Sequence, residues 1–240
     1  MSASISSVRV SSGVGGLDEM LKGGFPQGHV VLVLGPPGAG KTSLGLQFLN
    51  EGLTHEERVL YLSLEEDLAA LEATARQFGW NFDDARKKNR LKMVLMDPQH
   101  ASNAMKRIMS ELPRELDEWK PRRIVVDSVS LLSLLATTDA ERREVIFNLA
   151  AACRHCGATT VFVGESDPAH PETSRDGLAE YVADGVVLLS YDEDPDRHRV
   201  RLAIRVVKMR RTAHLRSRQP YTIGARGMEV DAKAVDLTSL

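Results

Sequence analysis

Eight consecutive residues, Gly35-Pro36-Pro37-Gly38-Ala39-Gly40-Lys41-Thr42, fit the spacing G-x-x-x-x-G-K-[ST]. Each position has a mechanical job. Glycines without a Cβ let backbone N–H groups turn inward around phosphate oxygens. Lys41 can reach β- and γ-phosphates, and the Thr42 hydroxyl suits one coordination site of Mg2+. Gly35 to Thr42, with Ser43 after them, form the candidate phosphate-binding segment.

Three acids can complete such a site. Asp127 ends the apolar run Ile124-Val125-Val126, which places it at the carboxyl end of a strand, the ligand edge of an open sheet. There it can hold Mg2+ opposite Thr42. The alternative is a cap on the segment that follows through Ser128. Glu65 and Glu66 follow the run Arg58 to Leu64 and reach the same edge. A carboxylate there can orient and deprotonate an attacking water. With Asp67 they also precede a helix, where acids favour the macrodipole by about 0.3–1 kcal/mol each.

The elements around these residues alternate. His29 to Leu34 reads as a strand buried on both faces, and Ser43 to Glu51 as a helix. Strand, glycine-rich turn and helix N-terminus make an anion site from backbone and dipole alone. Further strands are expected at Arg58–Leu64, Leu91–Met96, Arg123–Asp127 and Ala158–Val163. Helices are expected at Leu68–Phe78, Ala104–Trp119 with a weak break at Pro113, and Ala140–Cys156. Alternation of this kind implies βαβ units and a parallel sheet. Gly185–Tyr191 and Arg199–Met209 then flank the acidic turn Asp192 to Asp196 as an antiparallel hairpin. Short strands at Tyr221–Ile223 and Met228–Val230 can follow.

The chain has 240 residues, 42% hydrophobic and 27% charged, which suits a single α/β domain over residues 1–240. A net charge of −2 gives no argument for nucleic acid or an anionic membrane. Residues 1–7 do not read as a signal peptide and no apolar run has membrane-spanning length, so a cytoplasmic protein is expected. Cys153 and Cys156 form one C-x-x-C at a helix end. One pair cannot complete a four-ligand zinc site, and the two read as ordinary small residues. His100 reads as a solvated loop residue, and Met93, Met96, Met105 and Met109 as core filler.

Several stretches together resemble the KaiC-like branch of the RecA-type ATPases. They are Ser12 to Pro26 ahead of the P-loop, the pair Glu65-Glu66, Phe78-Gly79-Trp80, Gly177 to Val187, and Lys208-Met209-Arg210 followed by Thr212 and His214. The resemblance runs nearly end to end. It implies a RecA-like P-loop fold, with a mostly parallel central sheet flanked by helices and a C-terminal antiparallel hairpin. It implies ATP and Mg2+ bound between subunits of a homo-oligomer, commonly a hexameric ring, with slow hydrolysis. It makes Glu65-Glu66 the catalytic glutamate pair. It implies that Lys208 and Arg210 act on the γ-phosphate held by a neighbour, as an arginine finger does. Arg211 stands where the family often has glycine. The family's clock member has two such domains and phosphorylates itself; this chain has one and no clear counterpart of that acceptor, so autokinase activity is not expected.

Residues Arg197 to Arg218 hold nine arginines and lysines and no acid. They can be read as a nucleic-acid patch. Alternation of Val200, Leu202, Ile204 and Val206 with Arg199, Arg201 and Arg205 fits instead a half-buried strand with a solvated basic face, so nucleic-acid binding is not favoured. Only Tyr221 is near enough to stack a base. The expected function is a P-loop ATPase whose nucleotide state sets assembly or contacts with a protein partner that the sequence does not name. Alternatives are a DNA-binding recombinase accessory and a nucleotide-sensing assembly factor in which hydrolysis is incidental.

Overall fold

A computed structural model describes residues 8–96, 105–136, 138–175, 177–194 and 199–234. The chain opens with β1 (Arg9–Val10), α1 (Leu17–Met20) and β2 (Phe25–Pro26). The P-loop unit follows, β3 (Val30–Gly35) and α2 (Lys41–Thr54). Next come β4 (Val59–Ser63), α3 (Leu68–Gln77), α4 (Phe82–Lys87) and β5 (Leu91–Leu95). A π-helical turn (Arg107–Glu111) leads into α5 (Leu112–Trp119) and β6 (Arg123–Asp127). A 3-10 segment (Val129–Leu135), α6 (Asp139–His155), β7 (Thr159–Glu165) and α7 (Ala179–Val182) follow. The chain then forms β8 (Gly185–Asp194), β9 (Arg199–Met209), β10 (Gln219–Gly224) and β11 (Gly227–Val230).

The nine-stranded sheet has the order β11-β10-β9-β8-β3-β7-β6-β4-β5. Strands from β8 to β5 in that order pair in parallel, whereas β8 through β11 pair antiparallel. The P-loop strand lies inside the sheet, so its residues are apolar on both faces. Val31 and Val33 join the core that holds Leu44 and Phe48 of α2. Val30, Leu32 and Leu34 join the other, with Leu116 of α5 and Leu149 of α6. The β-carbon alternation of a strand thus divides one run between two cores. Gly45 permits the close approach of α2, since a Cβ there would stand 3.0 Å from Val125 Cγ1.

Several expectations shift. Helix α2 begins at Lys41 rather than Ser43, because Gly40 takes φ +83° and ends the loop one residue before the lysine. The acidic run is not the hairpin turn. Asp192, Glu193 and Asp194 continue β8 in register with Arg201, Val200 and Arg199. Each further pair satisfies backbone N–H and C=O groups, which favours extending the ladder; Pro195 and Asp196 lie outside the described residues. Pro113 does not break its helix. A π-turn precedes it and α5 opens around it, where its missing N–H costs little. Ala104 and His100 lie outside the described residues. The one-turn helices α1 and α7, the short α4 and the 3-10 segment have too few residues for a periodic signal.

Candidate functional site

The carboxyl ends of the inner strands assemble the site. The register pairs Gly35 with Glu165 and Ser63 with Asp127, so P-loop and acids share one edge. Among the described residues no side chain caps the N-terminus of helix α2, which leaves its N–H groups available to an anion. Gly38 has φ +79°, and a Cβ there would lie 2.7 Å from the Tyr191 hydroxyl oxygen. The hairpin braces this loop. Tyr191 Oη donates to Pro37 O at 2.7 Å, and Tyr221 Oη donates to Ala39 O at 2.6 Å. Gln47 of α2 ties the same region to the leading segment and β11, donating to Gly13 O and Met228 O and accepting from Met228 N.

Lys41 Nζ donates to Pro36 O at 2.9 Å. Burial lowers its pKa, while the charges of Glu165, Asp127 and Glu65 oppose that shift. Asp127 is buried and accepts from Thr42 Oγ1 at 2.8 Å and from Tyr61 Oη at 2.6 Å, both on Oδ2. Burial pushes its pKa up, and the two hydroxyls and Lys41 counter only part of this. The capping alternative is not realised. Ser128 starts the 3-10 segment without a side-chain cap bond, and the Asp127 carboxylate turns to the P-loop instead.

Glu65 and Glu66 are solvent-facing at the same edge. Their turn is pinned by Leu64 N donating to Asp127 O and Ser63 Oγ donating to Glu66 O, each at 2.6 Å. Partial burial, then repulsion from Asp127, raises the pKa of both. Asp67 performs the helix-capping job, accepting from Ala69 N at 3.2 Å. That leaves the two glutamates outside the helix and open to other chemistry. The oxygens of Thr42 and Asp127 could hold Mg2+, which takes hard oxygen donors and keeps several waters. The site fits such a group in one further respect: Ser128 Oγ, next to Asp127, is buried without a hydrogen-bond partner among the described residues.

Lys208 and Arg210 lie elsewhere. Gly185 pairs with Met209 on one side and with Val31 on the other, so the late element sits at the amino end of β3. Four residues of strand, about 13 Å, separate Val31 from Gly35. Lys208 Nζ donates to Ala183 O at 2.8 Å and Glu180 O at 3.1 Å. Arg210 Nη1 donates to Asp184 Oδ1 at 3.2 Å. Arg154 donates to Asp184 Oδ2 from Nε at 3.1 Å and from Nη2 at 3.0 Å. The structure thus brings Gly35 through Ser43, Glu65, Glu66 and Asp127 together, and does not bring Lys208 and Arg210 to them.

A family model described as "ATPase: KaiC" matches residues 10–235. The chain belongs to the KaiC ATPase family. A UPF0273 protein of Thermotoga maritima is 30% identical over 92% of this chain and 95% of its own length. The circadian clock oscillator protein KaiC of Synechococcus elongatus is 32% identical over 94% of this chain, which spans only 43% of that protein. The crystal structure of a KaiC-like protein from Pyrococcus horikoshii superposes with a TM-score of 0.82 at 30% identity, covering 93% of this chain and 99% of that one. The chain is a KaiC-like P-loop ATPase domain of RecA-like fold.

Other residues of this KaiC-like chain escaped the sequence reading. Glu165 stands beside Gly35 at the phosphate edge, ion-paired to Arg175 at 2.9 Å, with its backbone N–H donating to Ser130 Oγ. Its only signal was its place just after Val163, the last residue of the expected strand. Tyr61 gave no signal, since an aromatic in a strand reads as core. The basic stretch is largely occupied. Arg205 pairs with Glu172, Arg218 donates to Ser190 Oγ, and Tyr221, the one candidate for base stacking, is buried. Arg211 adopts φ +57°, the left-handed conformation that favours glycine, and its guanidinium faces His29 Nε2 at 3.3 Å. Burial pushes the Cys153 thiol up to about 12, consistent with an inert core residue. Met96 is buried, and Met93 and Met105 pack against the two cores.

Proposed function

We propose that residues 1–240 form one ATPase domain that binds ATP with Mg2+ at the P-loop and hydrolyses it between subunits of a homo-oligomer. The observation that carries this reading is the separation of charge. At the phosphate edge Lys41 stands among Glu65, Glu66, Asp127 and Glu165, and Arg175 is already paired with Glu165. Lys208 and Arg210 lie at the opposite end of the sheet, bonded there to Glu180, Ala183 and Asp184 of their own chain. An edge so rich in carboxylates is poorly matched to the charge of a transferring phosphoryl group, and cations from a neighbour remedy that.

In this mechanism the α2 N-terminus and the loop glycines orient the phosphates, and Lys41 binds β- and γ-oxygens. Thr42 and Asp127 would hold Mg2+, which when bound neutralises phosphate charge. Glu65 or Glu66 takes the proton of the attacking water, and a raised pKa strengthens either as a base. Lys208 and Arg210 of the adjoining subunit stabilise the charge that develops. Nucleotide state then sets assembly and partner contacts.

Mixing two inactive proteins tests the shared site. Lys41→Ala lacks its own cradle cation; Lys208→Ala/Arg210→Ala lacks the donated pair and keeps its own P-loop. Mixed assemblies contain interfaces with one intact half from each, so turnover should return and should depend on total protein concentration. Confirmed subunit exchange with no return of turnover at any ratio refutes the shared site.

A further inference from the structure

Asp127 is held by more than the P-loop. Tyr61 lies on β4 and is wholly buried. In the β4–β6 register Tyr61 is opposite Val125, two residues before Asp127 on the same face. A long aromatic side chain can reach such a diagonal neighbour. Its hydroxyl donates to Asp127 Oδ2 at 2.6 Å, and Thr42 Oγ1 donates to that same oxygen at 2.8 Å. Neither bond occupies Oδ1. Leu64 N, from the next turn of the same segment, holds the Asp127 carbonyl at 2.6 Å.

We infer that Tyr61 is a positioning residue for the metal: its phenol fixes the Asp127 carboxylate so that Oδ1 faces the cation beside the Thr42 oxygen. The inference rests on the Mg·ATP reading above. The physical ground is directional. A carboxylate whose one oxygen accepts two hydroxyl protons cannot rotate without losing both, so its other oxygen has a fixed aim. Thr42, having given its proton to Asp127, presents lone pairs to a cation. A buried phenol whose one hydrogen-bond partner among the described residues is this carboxylate would otherwise be an unneeded polar group in an apolar layer formed by Val59, Val125 and Val161. Outer-shell groups of this kind typically change metal affinity about 10–100-fold when removed.

Tyr61→Phe removes one oxygen and preserves the ring. Mn2+ serves as the probe, with free Mn2+ counted by electron paramagnetic resonance in the presence of saturating ADP. ADP affinity is measured separately in chelator, without metal. The variant should bind Mn2+ roughly 10-fold more weakly while its metal-free ADP affinity stays within about twofold of wild type. Equal Mn2+ affinity overturns the inference and leaves the ATPase reading intact. A parallel loss of metal-free ADP affinity also overturns it, because the phenol would then be supporting the P-loop generally. Failure of the wild type to bind Mn2+ with ADP overturns both readings together.

Discussion

The two ends of the parallel strands hold two aspartates in opposite electrostatic states, Asp127 at the end of β6 and Asp184 just before β8. At the carboxyl end, burial raises the pKa of Asp127, and Tyr61, Thr42 and Lys41 only partly oppose it. At the amino end, burial would also raise Asp184, but the Val30 N–H and the Arg154 guanidinium outweigh it and hold the carboxyl below its usual range. One end is under-compensated and the other is satisfied. Uncompensated buried charge weakens a free fold but suits a site that awaits a cation, whereas a satisfied network serves structure. The comparison separates a binding edge from a scaffold edge that also carries Lys208 and Arg210.

The largest effect should come from the binding edge. Lys41→Ala should abolish measurable turnover and weaken ATP binding, because the phosphates lose the loop's one cation. Isothermal titration with unchanged ATP affinity, together with normal turnover, would refute the P-loop assignment.

Replacing both Glu65 and Glu66 by Gln should leave ATP bound and slow turnover by about 10²–10⁴-fold, since amides cannot accept water's proton. In the unsubstituted protein, the acid limb of the turnover–pH profile should lie above the ordinary glutamate range, as both carboxyls titrate high. Turnover of the double variant within about threefold of wild type removes the water-activating role.

At the scaffold edge, Asp184→Asn should destabilise the fold by about 1–3 kcal/mol, the cost of leaving charged donors poorly paired. Because the folded pKa is depressed, the stabilisation from Asp184 is present above the unfolded carboxyl range. It is lost as pH falls through the lower folded value. A thermal-unfolding difference between variant and wild type that persists unchanged at strongly acid pH contradicts this.

Asp127→Asn should act in the opposite sense and more weakly. Its folded pKa is raised, so the ionised carboxylate costs stability as pH climbs from the unfolded through the folded value. At neutral pH the metal-free, nucleotide-free variant should melt higher, by about 2–4 °C if the gain is near 1 kcal/mol, while losing turnover. A lower melting temperature would show Asp127 to be structural, and would erase the contrast between the ends.

Much of this was legible locally. The G-x-x-x-x-G-K-T spacing, the apolar run before it and the acids after Leu64 and Val126 carry their meaning in chain order, because strand ends of a parallel sheet share one edge. The five stretches from Ser12 to His214, read together, pointed to the KaiC ATPase family to which the chain belongs. What stayed hidden depends on register. That Asp67, not Glu65 or Glu66, caps α3 required the turn's geometry. That acidic residues extend β8 required its partner strand.

The sequence by itself determined the strand–loop–helix that can cradle phosphate, since backbone freedom at glycine and apolar burial are properties of short segments. Only the tertiary structure decided that Tyr61 meets Asp127, that Tyr191 and Tyr221 brace the P-loop, and that Lys208 and Arg210 stand at the far end from it. Those contacts join residues as many as 182 positions apart in the chain, and nothing local specifies them. Strand order and register do, because a sheet sets which side chains become neighbours only once its strands have paired.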